Sequence, residues 1–205
     1  MALAEAQRDE NINVVGLLTT INASANRVAM HAVRRSLVET QAERLGLSLH
    51  VIEIPEHCTN EIYEDTMTHA IRAAVEDDVR HFIFGDLFLE DVRRYREDQL
   101  DDTGITPLFP LWGMPTEGLA TSLVNDGVRA VITCVDPQQL SPSFVGRTFD
   151  AEFLKALPPD VDPCGERGEF HTFVFDAPSF SSPIDIETGE IVTRDGFVFC
   201  DVVPR

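Results

Sequence analysis

NVVGLLTT, residues 13–20, is a short apolar run ending in two threonines, and its pattern recurs along the chain. LSLHVIEI (47–54), HFIFGD (81–86) and AVITCVD (130–136) repeat it, each short and rich in Val, Ile or Phe. Runs of this kind without polar alternation read as strands buried on both faces. PLFPLW (107–112) reads as extended too, its two prolines placing it at an edge or in a loop. Between the runs lie amphipathic stretches. Residues 26–45 set Met30, Val33, Leu37 and Val38 at helical spacing, and 60–77, 88–100 and 115–125 behave alike, the last ending at Asp126-Gly127. Strand–helix–strand repetition with short joints predicts a doubly wound parallel α/β sheet. Ligands in such sheets sit at the carboxyl ends of the strands, which singles out Thr19-Thr20, Gly85-Asp86 and Asp136.

The pattern changes near residue 141. SPSFVGRTFDAEFLKALPPDVDP holds one short helix between prolines, FHTFVFDAP comes next as a strand, and IDIETGEIVTRDGFVFCDVV alternates and turns at Asp195-Gly196. The last stretch predicts a hairpin. The division expected is therefore an α/β domain over 1–140 and a smaller α+β region over 141–205.

Composition narrows the function classes. Sixteen Lys and Arg stand against 35 Asp and Glu, a formal net charge of -19. That field repels phosphate backbones and argues against nucleic-acid binding, while leaving room for a small anion held by local amides and Mg²⁺. No stretch approaches a membrane span, and MALAEAQRDE lacks the plan of a signal peptide. Cys58, Cys134, Cys164 and Cys200 form no CxxC pair, so reduced thiols and a cytoplasmic location are expected. Cys134 and Cys200 stand inside apolar runs and read as core residues.

Three clusters could carry chemistry. In FGDLFLEDVRRYRE (84–97), Gly85 at a strand end admits close backbone approach. Asp86 could bind a ligand or cap the next helix. Arg93, Arg94 and Arg96 interleave with Glu90, Asp91 and Glu97, as on a solvated helix face. Arg27, His31 and Arg34 would form one basic stripe if 26–45 is helical, either an anion-gathering face or an exposed one. DPCGERGEFHTF (162–173) holds Cys164, Glu166, Glu169 and His171 around Gly165 and Gly168. Glu169 and His171 share a face if 169–175 is a strand. A polar turn, a zinc site from Cys164, Glu169 and His171, and a Cys–His pair are alternatives that spacing leaves open.

Taken in order, GLLTT, RVAMHAVRR, FGDLFLEDVRRYRE, TPLFPLWG, AVITCVD and DPCGERGEFHTF resemble the ATP-binding family typified by diphthine–ammonia ligase. That family belongs to the N-type ATP pyrophosphatases of the adenine-nucleotide α-hydrolase-like fold. The resemblance implies an ATP- and Mg²⁺-dependent amide ligase: a carboxylate is adenylated, pyrophosphate leaves, and ammonia displaces AMP. It implies that 1–140 binds nucleotide, with Leu18, Thr19, Gly85 and Asp86 bordering it, and that 141–205 binds substrate. Glu166, Glu169 and His171 become the expected catalytic residues, gathering ammonium and removing its proton. Met30, His31, Cys164 and Gly165 are the expected substrate contacts, and no protein-held metal is expected. The acceptor carboxylate, on a protein in the named enzyme, is not identified by the sequence.

The family's glycine-rich phosphate loop, SGGKDS, has no counterpart here, since no glycine occurs before Gly16. ALAEAQR resembles the segment directly after that loop. Loop and first strand are expected to be missing, which would unpair the strands at 13–20 and 81–86 and favour self-association at the exposed edges. Three accounts of the gap compete: an earlier start, a loop lent by a partner subunit, and a catalytically inactive relative that still binds nucleotide or substrate.

Overall fold

The computed structural model describes residues 1–28 and 31–205, so Met30, an expected substrate contact, lies outside the described residues. Two parallel ladders form the first half. β1 (Gly16–Asn22) pairs in parallel with β3 (Ser48–Ile54) along its whole length, Gly16 opposite Ser48 through Asn22 opposite Ile54. β2 (Arg27–Val28) turns back on the end of β1. β4 (His81–Ile83) pairs in parallel with β5 (Thr106–Leu108). Among the described residues no ladder joins β1 to β4.

Helices α2 (Arg35–Leu45), α3 (Asn60–Glu76) and α4 (Glu90–Leu100) connect these strands. Their ends follow local chemistry. The Thr59 hydroxyl accepts from Ile62 N at 3.3 Å to cap α3, and Gly46 at φ 67 closes α2 in the left-handed conformation. A short α1 (Ala2–Ala6) lies against β4.

The second half begins with α5 (Thr116–Asn125) and a five-stranded antiparallel sheet centred on β6 (Arg129–Val135). β8 (Phe170–Asp176) runs along one edge of β6, while β7 (Thr148–Phe149) and β10 (Phe197–Pro204) take the other. β9 (Ile186–Arg194) pairs with β10 through a two-residue turn whose Asp195 and Gly196 have φ of 53 and 86, the hairpin expected from Asp-Gly. α6 (Ala151–Ala156), capped by Asp150, brings Phe153 against Phe144, Phe149 and Phe170 at ring separations of 5.3 to 5.7 Å. Phe153 is fully buried, and burial of such a ring is worth about 1.5–3 kcal/mol. Cys134 and Cys200 are buried and free, as their apolar runs indicated.

Two expectations need correction. The strand at 130–136 is not another parallel strand: it is antiparallel to every strand it pairs with. Its residues from Ala130 to Val135 are all buried, and an all-apolar run reports burial on two faces without reporting direction. The helix predicted over 26–45 begins only at Arg35. Before it, Asn26 and Ala32 have φ of 52 and 53, and Arg27 and Arg34 face each other across an antiparallel bridge. Arg27, His31 and Arg34 therefore lie on a turn, not on a helical stripe. The apolar spacing was nonetheless real: Val33 and Leu37 pack with Val131, Phe173 and Val202, fastening α2 to the antiparallel sheet.

Candidate functional site

The loop between α6 and β8 is built around two buried acids. Asp162 accepts through Oδ1 from Cys164 N at 2.9 Å and from Glu166 N at 3.4 Å, so the chain curls back on itself. Gly165, at φ 71, completes the curl, and a Cβ there would stand 2.7 Å from the Phe170 carbonyl. That position needs glycine for conformation and for space. Glu169 is 1% exposed, and both its oxygens are engaged: Oε1 accepts from Asp162 N at 2.8 Å and Oε2 from Arg167 N at 2.9 Å. The Glu169 carboxylate thereby ties the start of the loop to its end. Asp136 N donates to the Glu169 carbonyl at 3.0 Å, docking the loop beside the end of β6.

Glu166 points the other way, to the loop after β4. Its Oε1 accepts from Leu87 N at 2.7 Å, and the Arg167 guanidinium lies 5.3 Å from the centre of the Phe88 ring. Beneath this contact Leu87, Leu111 and Leu119 form a buried cluster with Phe88 and Cys164 against it. Burial, together with the nearby charges of Asp86 and Asp162, pushes the Glu166 carboxyl above the ordinary glutamate range, against the pull of the Leu87 and Phe88 amides. Asp86 does not cap α4, whose N-cap is Leu89. Its carboxylate lies 3.8 Å from Arg96 Nε, and the Arg96 guanidinium covers the Phe84 ring at 4.9 Å.

His171, the second residue of β8, faces His31 with ring centres 4.5 Å apart and planes at 45°. Burial first, and then the neighbouring His31, pull the His171 imidazole down to about 4. His31 is lowered by burial too, although its bond to the Thr172 backbone works in the opposite sense. Near neutral pH both rings are uncharged and can accept a proton or a hydrogen bond.

The expected residues thus fall into separate places. Glu166 joins Asp86 and the backbone after Gly85, while Glu169 is enclosed in its own loop and His171 is paired with His31. Cys164 Sγ donates to the Thr116 carbonyl at 3.4 Å, and burial above all pushes its thiol up to about 12. Cys164, Glu169 and His171 hence turn to three different partners. Among the described residues no group of three or more His, Cys, Asp or Glu could hold a metal ion. Leu18 and Thr19 lie inside β1, opposite His50 and Val51, because the strand continues past Thr20 to Asn22. Leu18 is 42% exposed.

Spacing did not reveal one participant. Asp201, in the middle of β10, binds both Arg27 and Arg34. A lone acid within FVFCDVV was the available signal, but its partners lie 174 and 167 residues away.

Comparison with known proteins adds an independent observation. Residues 115–203, from α5 to the end of the hairpin, match the family model described as diphthamide synthase C-terminal domain. The human diphthine–ammonia ligase is 27% identical over 188 residues, covering 89% of this chain and 67% of that protein. The bovine enzyme of the same name is 31% identical over 120 residues, 56% of this chain and 45% of that protein. The zebrafish (Danio rerio) one is 31% identical over 121 residues, covering 56% and 47%. The chain thus spans from about half to two-thirds of the length of these relatives.

Proposed function

We propose, from its similarity to the diphthine–ammonia ligases, that this chain is the scaffold of an ATP-dependent amide ligase. The acceptor carboxylate attacks the α-phosphorus of ATP, forming a C(O)–O–P bond as pyrophosphate leaves. Ammonia then attacks the acyl carbon and AMP departs with the C–O electron pair. Ammonium must give up one proton to become the nucleophile and a second as the amide forms. A carboxylate to gather the cation and a base to take the protons are the minimum equipment.

One observation carries this reading: Glu166 bonds Leu87 N at 2.7 Å, joining the two stretches of sequence most distinctive of the resemblance. In this reading Glu166 faces the ammonium. Its raised proton affinity suits proton uptake. The neutral His171, with His31 beside it, is a hydrogen-bonding partner for the acceptor in this reading. Glu169 shapes the loop that presents them, and Cys164, Gly165 and His31 border the acceptor.

The nucleotide side rests on Leu18 and Thr19 for adenine and on Gly85 and Asp86 for the ribose and phosphates. We infer that the β1–β3 and β4–β5 ladders are flanks of one doubly wound sheet. Asp86 alone cannot hold Mg²⁺, which fits an ion carried in on the nucleotide phosphates, as magnesium usually is. Its contribution would be to neutralise phosphate charge.

The test is pyrophosphate release from ATP in the presence of ammonium and a diphthine-bearing protein, together with loss of the acceptor's carboxylate charge. Both should occur in the native protein and fail in Glu166→Gln. ATP binding without pyrophosphate release in the native protein would instead favour a nucleotide- or substrate-binding relative that is not a catalyst.

A further inference from the structure

The turn described at residues 27–28 and 31–34 is held at both ends. At its base Arg27 Nη1 donates to Asp201 Oδ1 at 2.8 Å, and Arg34 grips the same carboxylate with Nε at 3.2 Å and with Nη2. Arg27 Nη1 also donates to the Ala32 carbonyl at 2.7 Å, and Val28 N to the Val33 carbonyl at 2.8 Å, so the turn is closed on itself. At its far side the His31 ring rests on His171. Asp201 is on β10 and His171 on β8, strands that pair with opposite edges of β6. The turn therefore crosses the face of the antiparallel sheet. Val28 and Val33 pack on Val131, Phe173 and Val202 in between.

Asp201 faces an irregular point of the neighbouring strand β9. The β9–β10 register shifts between Cys200 and Val202, where three steps along β9 answer two along β10, so the extra residue lies in β9 opposite Asp201. Across from it stands Gly189, where an added Cβ would lie 3.5 Å from the Asp201 Cβ and carbonyl. A fork of two arginines on one carboxylate fixes geometry more narrowly than a single exposed pair would.

We propose that Asp201 is a positioning residue: by clamping Arg27 and Arg34 it fixes the turn so that His31 covers His171. The catalytic consequence rests on the reading of His171 given above, whereas the clamp itself does not. The groups acting on the two imidazoles are each other, the Thr172 carbonyl that receives the bond from His31, and the burial that the turn imposes.

The test is Asp201→Asn, examined by NMR of the histidine rings. The native protein should show a nuclear Overhauser contact between the rings of His31 and His171, and Asp201→Asn should lose it. The His171 titration should move from about 4 toward the ordinary 6.5, so that at pH 5.5 its protonated fraction climbs from about 3% to about 90%. Removing Asp201 leaves two uncompensated arginines, whose repulsion alone would lower that titration. A rise therefore reports exposure of the ring and not the change in charge. Asp201→Glu should restore part of the contact. Should Asp201→Asn fail to fold, Arg34→Gln gives the same reading with one arm of the clamp kept. An unchanged ring contact and titration in a folded Asp201→Asn or Arg34→Gln protein would overturn the proposal. Because no turnover enters the test, its failure leaves the proposed reaction standing.

Discussion

Replacing Glu169 by glutamine changes one oxygen to NH₂ in a place with no room for a second donor. Both carboxylate oxygens receive backbone N–H groups, from Asp162 at 2.8 Å and Arg167 at 2.9 Å, and the residue is 1% exposed. Glutamine satisfies one donor through its carbonyl and presents its own N–H to the other. One hydrogen bond to a charged acceptor, worth about 1.5–3 kcal/mol, is lost, and a buried N–H is left without an acceptor at a cost of about 1–3 kcal/mol. These overlap, because part of each is the same desolvation, so the combined loss should be roughly 3 kcal/mol. Arg167 Nη1 at 3.9 Å is half exposed and adds little. For a chain of 205 residues each kcal/mol moves the melting midpoint by about 2–4 °C, which gives a drop of about 6–12 °C. Thermal and urea unfolding of the two proteins measure it. Amidation should also fail, since the loop presenting Glu166 loses its closure, while ATP binding on the β1 side should persist. A midpoint within a degree or two of the native one would refute the account of Glu169 as the tie of this loop.

Two further outcomes test other parts of the site. His171 has a folded proton affinity lowered to about 4 from 6.5, so the unfolded chain protonates first as pH falls. The associated stability is complete above about pH 6.5 and declines toward pH 4, by roughly 3 kcal/mol over about 2.5 pH units. Urea midpoints across that range should fall less steeply in His171→Gln by about that amount, and parallel curves would exclude His171 as the source. Gly165→Ala meets both a positive φ and a carbonyl at 2.7 Å, whereas Gly168→Ala, at φ 83, meets open space. The first should destabilise by about 1–3 kcal/mol more than the second, and equal urea midpoints would remove the close-approach argument.

Legibility in the sequence tracked the range of the interactions. The hairpin at Asp195-Gly196 was readable because its cause, two residues tolerant of positive φ, lies inside the turn itself. Helix α3 was readable because its cap and apolar face are local as well. The direction of β6 was not, because it depends on distant strands later in the chain, and nothing in AVITCVD encodes them. Residues 27–34 misled for a subtler reason. Val33 and Leu37 do share a buried cluster, but an alanine at φ 53 closes a turn before the helix begins, and alanine announces no such conformation. At the site the acids and the histidine were visible as residue types. Their partners were not, because Leu87 N, Asp162 N and Arg167 N are backbone atoms, and spacing between side chains carries no information about them.

That distinction separates two glutamates that look alike in CGERGEF. Three residues apart and both engaged by backbone amides, they differ in how much of the carboxylate is used. Glu169 commits both oxygens to its own loop and is sealed from solvent, so a proton or a cation reaching it would first have to open the loop. Glu166 uses Oε1 to reach a different loop, remains half-buried, and has its proton affinity raised by burial and by Asp86. A group that must take and release protons needs an unoccupied lone pair and an affinity closer to working pH than an ordinary carboxylate has. Glu166, half-buried and with its proton affinity raised, suits that task, whereas both oxygens of Glu169 are engaged by backbone amides inside a sealed loop. In the proposed ligase, therefore, proton handling belongs to Glu166, and Glu169 acts by holding Glu166 where the loop after β4 can meet it.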